Sequence, residues 1–273
     1  MLHILFISSI IATVNGHGWM SSPKARNADA SPTNHYSPQS GNSVGAVGRV
    51  QAEEAPFPDN HDAEGTHGLC GDPFEGSSTG LLTPNKQIYM QQGPVVATYT
   101  HGHNIDIEIH LTVHHWGHFE FRICEGGLNG EKYSTQKAGQ DCLNKNLLVR
   151  PDPKTRSNCR NATNIDASNY DCQPLDKEHP ERWYLPPPTY GMDYVMTFEL
   201  PKDLTCELCT IQWNWITGNS CLVKGYKSYY ENFKKEYPEL DGSWAGQAGS
   251  PLPSCETTRD GEQFWNCADI KIQ

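Results

Sequence analysis

Residues 1–16 (MLHILFISSIIATVNG) contain a mostly apolar run from Ile4 to Ala12, broken by two serines. Val14 and Gly16 place small residues at the third-last and last positions before a cut. This is the pattern of a secretory signal peptide, although its first residues lack Lys and Arg. Cleavage after Gly16 makes His17 the first residue of a mature chain beginning HGWMSSPKAR. Such a histidine offers a metal two nitrogens, its α-amine and its imidazole. An α-amine with an ordinary pKa of about 7.7–8.0 yields its proton to a metal near neutral pH. Amine plus ring suits Cu(II), which favours tetragonal nitrogen sites and heads the divalent affinity order. A plainer reading stays open: an exported chain can begin with histidine and bind nothing.

A second imidazole falls within His114-His115-Trp116-Gly117, between two segments that alternate apolar and polar residues. Ile105, Ile107, Ile109, Leu111 and Val113 alternate with Asp106, Glu108, His110 and Thr112, which predicts a strand over Asn104–Val113. Phe119, Phe121 and Ile123 alternate with Glu120 and Arg122 in a second strand, His118–Cys124. The short connection predicts a hairpin with the histidines at its tip. His115 there is placed to project from the end of a rigid framework, though a histidine at a strand end also serves as an ordinary surface residue. Further strands are expected at Tyr194–Leu200, Thr210–Thr217 and Cys267–Ile272, with Phe264 just before the last, and a short helix at Ser228–Glu236.

Residues 21–66, rich in Ser, Pro, Asn, Gly and Ala, read as one long loop, and 125–192 as a second loop-rich insertion. Separated strands without a helical stripe or an internal repeat imply an all-β chain, an antiparallel β-sandwich of the immunoglobulin or fibronectin kind, with 17–273 as a single domain. Ten cysteines, all beyond residue 16, imply an oxidising compartment and up to five disulfides. Cys206-Glu-Leu-Cys209 is read as disulfide cysteine rather than zinc ligand, its partners left open, and Cys70 as an anchor for the first loop. Asn161-Ala162-Thr163 is a glycosylation sequon. The net charge of -11 argues against nucleic acid and anionic membranes as partners, and leaves a neutral polymer open. Beyond the leader nothing is apolar enough to span a bilayer, so the product is expected to be secreted and monomeric. His101 and His103 are read as solvated. An HExxH motif is absent and no paired-carboxylate motif stands out, which disfavours hydrolytic chemistry.

The blocks His17-Gly18 with Pro23 and Arg26, Cys70-Gly-Asp-Pro73, Leu111 to Cys124, Cys206 to Ser220 and Phe264-x-x-Cys-Ala-Asp-Ile270 occur in an order that resembles the lytic polysaccharide monooxygenases of the chitin-binding type-4 kind. The similarity is greatest to their animal and oomycete branch. The resemblance implies a copper enzyme cutting a structural polysaccharide by oxidation at C1 or C4, with an external electron donor and peroxide or dioxygen. Chitin and cellulose are the favoured polymers, and pectin remains open. It implies that His17 gives amine and ring nitrogen to one copper ion, that His115 gives the third nitrogen, and that Phe264 takes the axial position. His114 and Val113 depart from the Asn and Ala of relatives. Glu262 or Gln263 would tune the metal, and Trp19, His114 and Trp116 would touch substrate, since flat aromatic faces suit sugars. Trp213 and Trp215 read as core. The alternative reading is a non-catalytic, secreted polysaccharide-binding protein on the same scaffold.

Overall fold

The computed structural model of the chain describes residues 18–28, 69–71, 88–133, 136–219, 221–238, 252–255 and 263–273. The expected signal peptide (1–16), His17, residues 29–66 and Glu262 lie outside them. The elements follow as β1 (Gly18–Ser22), β2 (Ala97–Tyr99), β3 (Asn104–Leu111), β4 (His118–Glu125), α1 (Gln136–Asn144), β5 (Trp183–Tyr184), β6 (Asp193–Glu199), β7 (Cys206–Ile216), α2 (Tyr226–Glu236) and β8 (Gln263–Ile272). A three-stranded sheet, β1-β3-β6, faces a five-stranded sheet, β2-β8-β7-β4-β5. All pairings are antiparallel except β2 with β8. The expected β-sandwich is the fold.

β3 behaves as its period of two requires. Ile105, Ile107, Ile109 and Leu111 are buried against the opposite sheet, while Asn104, Asp106 and Glu108 are exposed. Phe119, Phe121, Trp213, Trp215, Tyr194, Phe198 and Phe264 complete this core. The expected β3–β4 hairpin does not form. β3 pairs with β1 and β6, and β4 pairs with β5 and β7. Both strands present a row of large apolar residues to the same interior. Two such rows bury each other better across the gap between packed sheets than side by side in one sheet. Residues 112–117 therefore arch from one sheet to the other.

β4 departs from expectation in a second way. His118, Glu120 and Arg122, the polar half of its alternation, are also buried. The outer face of its sheet is covered by α1, in chain that the sequence reads as loop, and by α2. α1 is fastened to β4 by the Cys124–Cys142 disulfide. α2 packs Tyr226, Tyr229, Tyr230 and Phe233 with Tyr184 of β5 in a second apolar cluster. The polar residues tolerate burial in part because they pair with one another. Glu120 accepts from Arg122 Nη2 at 2.6 Å and from His118 Nε2 at 2.9 Å.

All ten cysteines are paired: Cys70–Cys267, Cys124–Cys142, Cys159–Cys172, Cys206–Cys209 and Cys221–Cys255. Cys70 thus anchors its loop to β8, as expected, and Cys206 and Cys209 bond to each other. Arg26 supplies a second anchor. Its guanidinium donates to both oxygens of Asp269 on β8, at 2.9 and 2.5 Å, and to the carbonyls of Tyr89 and Leu128 at 2.7 and 2.9 Å. Asp269 also accepts from Gly93 N and Thr210 Oγ1. The pair is almost wholly buried, and its charges are matched by fixed donors and acceptors rather than by water. Arg26 N also donates to Cys267 O, and Met20 N to Asn266 Oδ1. The segment beginning at β1 is thereby clamped to both sheets.

Candidate active site

One end of the sandwich gathers five segments that are distant in sequence. Gly18 begins β1 opposite Leu111, the last residue of β3. The 112–117 arch leads to His118, which pairs with Ile216 at the end of β7 and with Tyr184 on β5. Ile216 in turn pairs with Gln263, the first residue of β8. The approach of β1 is close enough to require glycine. A Cβ at Gly18 would stand 2.4 Å from Leu111 Cδ2 and 2.7 Å from His110 O. The residue preceding Gly18 is His17, outside the described residues.

His115 lies half-buried in the arch. Its carbonyl accepts from Gly218 N at 2.9 Å, and its ring stacks on Trp215 at 5.9 Å between centroids. Trp215 also donates from Nε1 to the carbonyl of Trp116 at 2.7 Å and stacks on Phe264 at 4.8 Å. Phe264 is fully buried, and it sits inside β8 rather than ahead of it, because that strand begins at Gln263. Trp215 is core, as the sequence suggests, but it is also the shared neighbour of His115 and Phe264. Spacing gives no sign of this, since the contact spans 100 residues of chain.

The arch turns sharply at two residues. Trp116 has φ of 56° and Gly117 of 90°. A side chain at Gly117 would meet Ile216 O at 2.0 Å, so this position accepts only glycine. A left-handed tryptophan costs about 1–3 kcal/mol and persists where its surroundings over-determine it. Here its N–H donates to His114 Nδ1 at 3.2 Å while its carbonyl accepts from Trp215. His114 completes the brace by donating from Nε2 to Pro186 O at 2.9 Å. Burial lowers the His114 pKa to about 4, with the Pro186 bond opposing and His115 reinforcing the shift. The ring is neutral at neutral pH, and both its nitrogens are engaged within the chain. His114 thus has only its ring face to offer a ligand. Trp116 lies edge-on to it at 4.7 Å, half-buried. Trp19 is on β1, packed on His110 at 4.4 Å. Gln263 is buried at the start of β8.

Beside this end lies a buried group that sequence reading leaves unexplained. Tyr226 hydroxyl bonds His118 Nδ1, and His118 Nε2 donates to Glu120. Burial pushes the His118 pKa below its ordinary 6.5, and the bond to Glu120 opposes this only in part. Burial alone would raise Glu120, but Arg122 and His118 outweigh it and hold the carboxyl below the usual range. A base depressed on folding binds fewer protons native than unfolded. Its contribution to stability is complete above the unfolded pKa of about 6.5 and is lost as pH falls below it. The melting temperature is therefore expected to decline as pH drops from 6.5 to 5, ahead of carboxylate titration, and less steeply in His118→Gln. An identical decline in that variant would show that His118 does not contribute.

Among the described residues no group of three or more His, Cys, Asp and Glu could hold a metal, and no helix is long and apolar enough to cross a membrane. No curated protein sequence matches the chain. Among solved structures, an AA15 lytic polysaccharide monooxygenase from Thermobia domestica in the Cu(I) state matches with a TM-score of 0.52 and 22% identity, over 94% of this chain and 98% of that one. A chitin binding domain from Burkholderia pseudomallei matches at 10% identity and a TM-score of 0.38, over 95% of this chain and all of that one. A family model described as lytic polysaccharide mono-oxygenase, cellulose-degrading, matches residues 17–270, and the chain belongs to that family.

Proposed function

We propose that the chain, exported and cut before His17, is a copper-dependent monooxygenase that cleaves chitin or cellulose oxidatively at the surface of the insoluble polymer. The observation that carries this reading is the convergence of His115 and the start of β1 at one end of a braced sandwich. His115 supplies an imidazole donor of the type copper favours. Its carbonyl bond to Gly218 and its stack on Trp215 restrict how the ring can move. His17 would complete the donor set with its ring and free amine. When bound, copper supplies one-electron redox chemistry fed by an external reductant, with dioxygen or peroxide as oxidant.

The chain's own residues would set the surroundings of that ion. Phe264 offers no ligand atom, and with Trp215 it keeps one flank of the His115 neighbourhood apolar and dry. Trp116 and Trp19, both half-buried, offer ring area to sugar faces, and His114 holds the arch that carries Trp116. A rigid end with partly exposed rings suits a flat polymer surface better than a single chain threaded into a cleft.

The test is mass spectrometry of soluble products from copper-loaded, correctly processed protein with ascorbate on chitin, cellulose and pectin. Oxidised oligosaccharides from chitin or cellulose are expected. Retention on a polymer without oxidised products would favour the non-catalytic binding protein instead.

A further inference from the structure

We propose that Trp19, His110 and Asp193 form a second carbohydrate subsite, on the outer face of the three-stranded sheet, that receives an uncharged β-linked glycan beside the one attacked. This rests on the polysaccharide reading and extends it to a choice of substrate class. The three residues form a single rung: Trp19 pairs with His110, and His110 with Asp193. Their chain neighbours Gly18, Met20, Ile109, Leu111 and Tyr194 are buried in the core, so alternation turns all three side chains outward.

The rung is organised rather than merely exposed. His110 Nδ1 bonds Asp193 Oδ1 at 2.5 Å, and the imidazole lies against the Trp19 indole at 4.4 Å. Asp193 thus fixes the ring that supports the indole. The Asp193 side chain is 81% exposed and that of His110 32%, leaving carboxylate area in water to accept sugar hydroxyls. An apolar ring flanked by a polar acceptor across about 10 Å of sheet is the mixture that holds a sugar ring. The strip is continuous with the proposed copper end, because Trp19 follows Gly18 and His110 precedes the Leu111 with which Gly18 pairs.

Charge selects among polymers. On the next rung the exposed Glu108 pairs with Val195, so two carboxylates line the strip. A polyuronate such as pectin would be repelled, whereas chitin and cellulose would not.

The experiment measures binding isotherms of processed, copper-free protein on crystalline chitin, cellulose and pectin. Trp19→Ala is expected to weaken binding to the preferred neutral polymer roughly tenfold. His110→Ala and Asp193→Ala are expected to weaken it several-fold, while Asp193→Asn retains most of it. Trp19→Ala combined with Asp193→Ala should cost less than the sum of the two, because the carboxylate acts partly through the indole. Copper affinity and melting temperature should remain those of the wild type. Wild-type binding in all three single variants would overturn the subsite alone. Tighter wild-type binding to pectin than to chitin or cellulose would overturn the choice of an uncharged glycan. A wild-type protein that binds none of the polymers would overturn the polysaccharide reading together with it.

Discussion

His115→Ala is expected to abolish release of oxidised sugars and to weaken copper binding by at least about a hundredfold. Mutating groups that merely orient a metal ligand costs about 10–100-fold in affinity, so removing the ligand itself should cost no less. The variant should still fold. What secures residue 115 in the arch is its carbonyl bond to Gly218, which alanine keeps. The sharp turn is enforced next door, by Trp116, Gly117 and the bonds of His114. A half-buried ring over Trp215 leaves a shallow notch when removed, not a closed cavity, so the melting temperature should move little. Calorimetric titration with copper and a thermal melt on the same preparation separate loss of ligand from loss of structure. Wild-type copper affinity in a folded variant would show that the ion is held elsewhere.

What the sequence made legible was mostly local. The period of two in β3 named its buried face correctly, and the Ser228–Glu236 helix lies within α2. Strand pairing was less accessible, because a short connection brings two strands near each other without saying whether they bond edge to edge or pack face to face. The β3–β4 arch is the result: both strands carry core residues on one face, and the hairpin inferred from the connection gives way to two sheets. β4 looked half-exposed because Glu120 and Arg122 are charged. Their burial depends on His118, Tyr226 and a covering layer built largely from chain more than 50 residues away. α1 leaves no clear stripe in the sequence because Cys142 fastens it to β4, so it needs little apolar area of its own.

At the candidate site the same division holds. His115 and the aromatic residues beside it stand out by type and spacing. What braces them does not: Pro186 contributes a bare carbonyl from 72 residues away, and the Nε1 of Trp215 reaches Trp116 across 99. A backbone acceptor leaves no mark in the sequence. That both nitrogens of His114 serve the turn is therefore invisible in the sequence. Asp193 and His110 are each an ordinary strand residue in the sequence, until the register of β3 with β6 puts them on one rung.

A protein retaining even one residue ahead of His17 is expected to bind copper far more weakly than the correctly cut chain and to release no oxidised sugar. A cut before His17 would leave an α-amine with an ordinary pKa of about 7.7–8.0, whose proton a metal displaces near neutral pH. An added residue converts that nitrogen to a peptide amide, whose lone pair is delocalised into the carbonyl and is no longer a good donor. The imidazole of His17 survives the change, so the comparison isolates the amine. Two preparations of the same chain, one cut by a protease that leaves His17 first and one carrying a single extra glycine, supply the test. Their melting temperatures should agree, since the Arg26 and Asn266 anchors of β1 begin downstream of the change. Equal copper affinity in the two would remove the amine from the ligand set and, with it, the reason for placing the redox chemistry at the start of the mature chain.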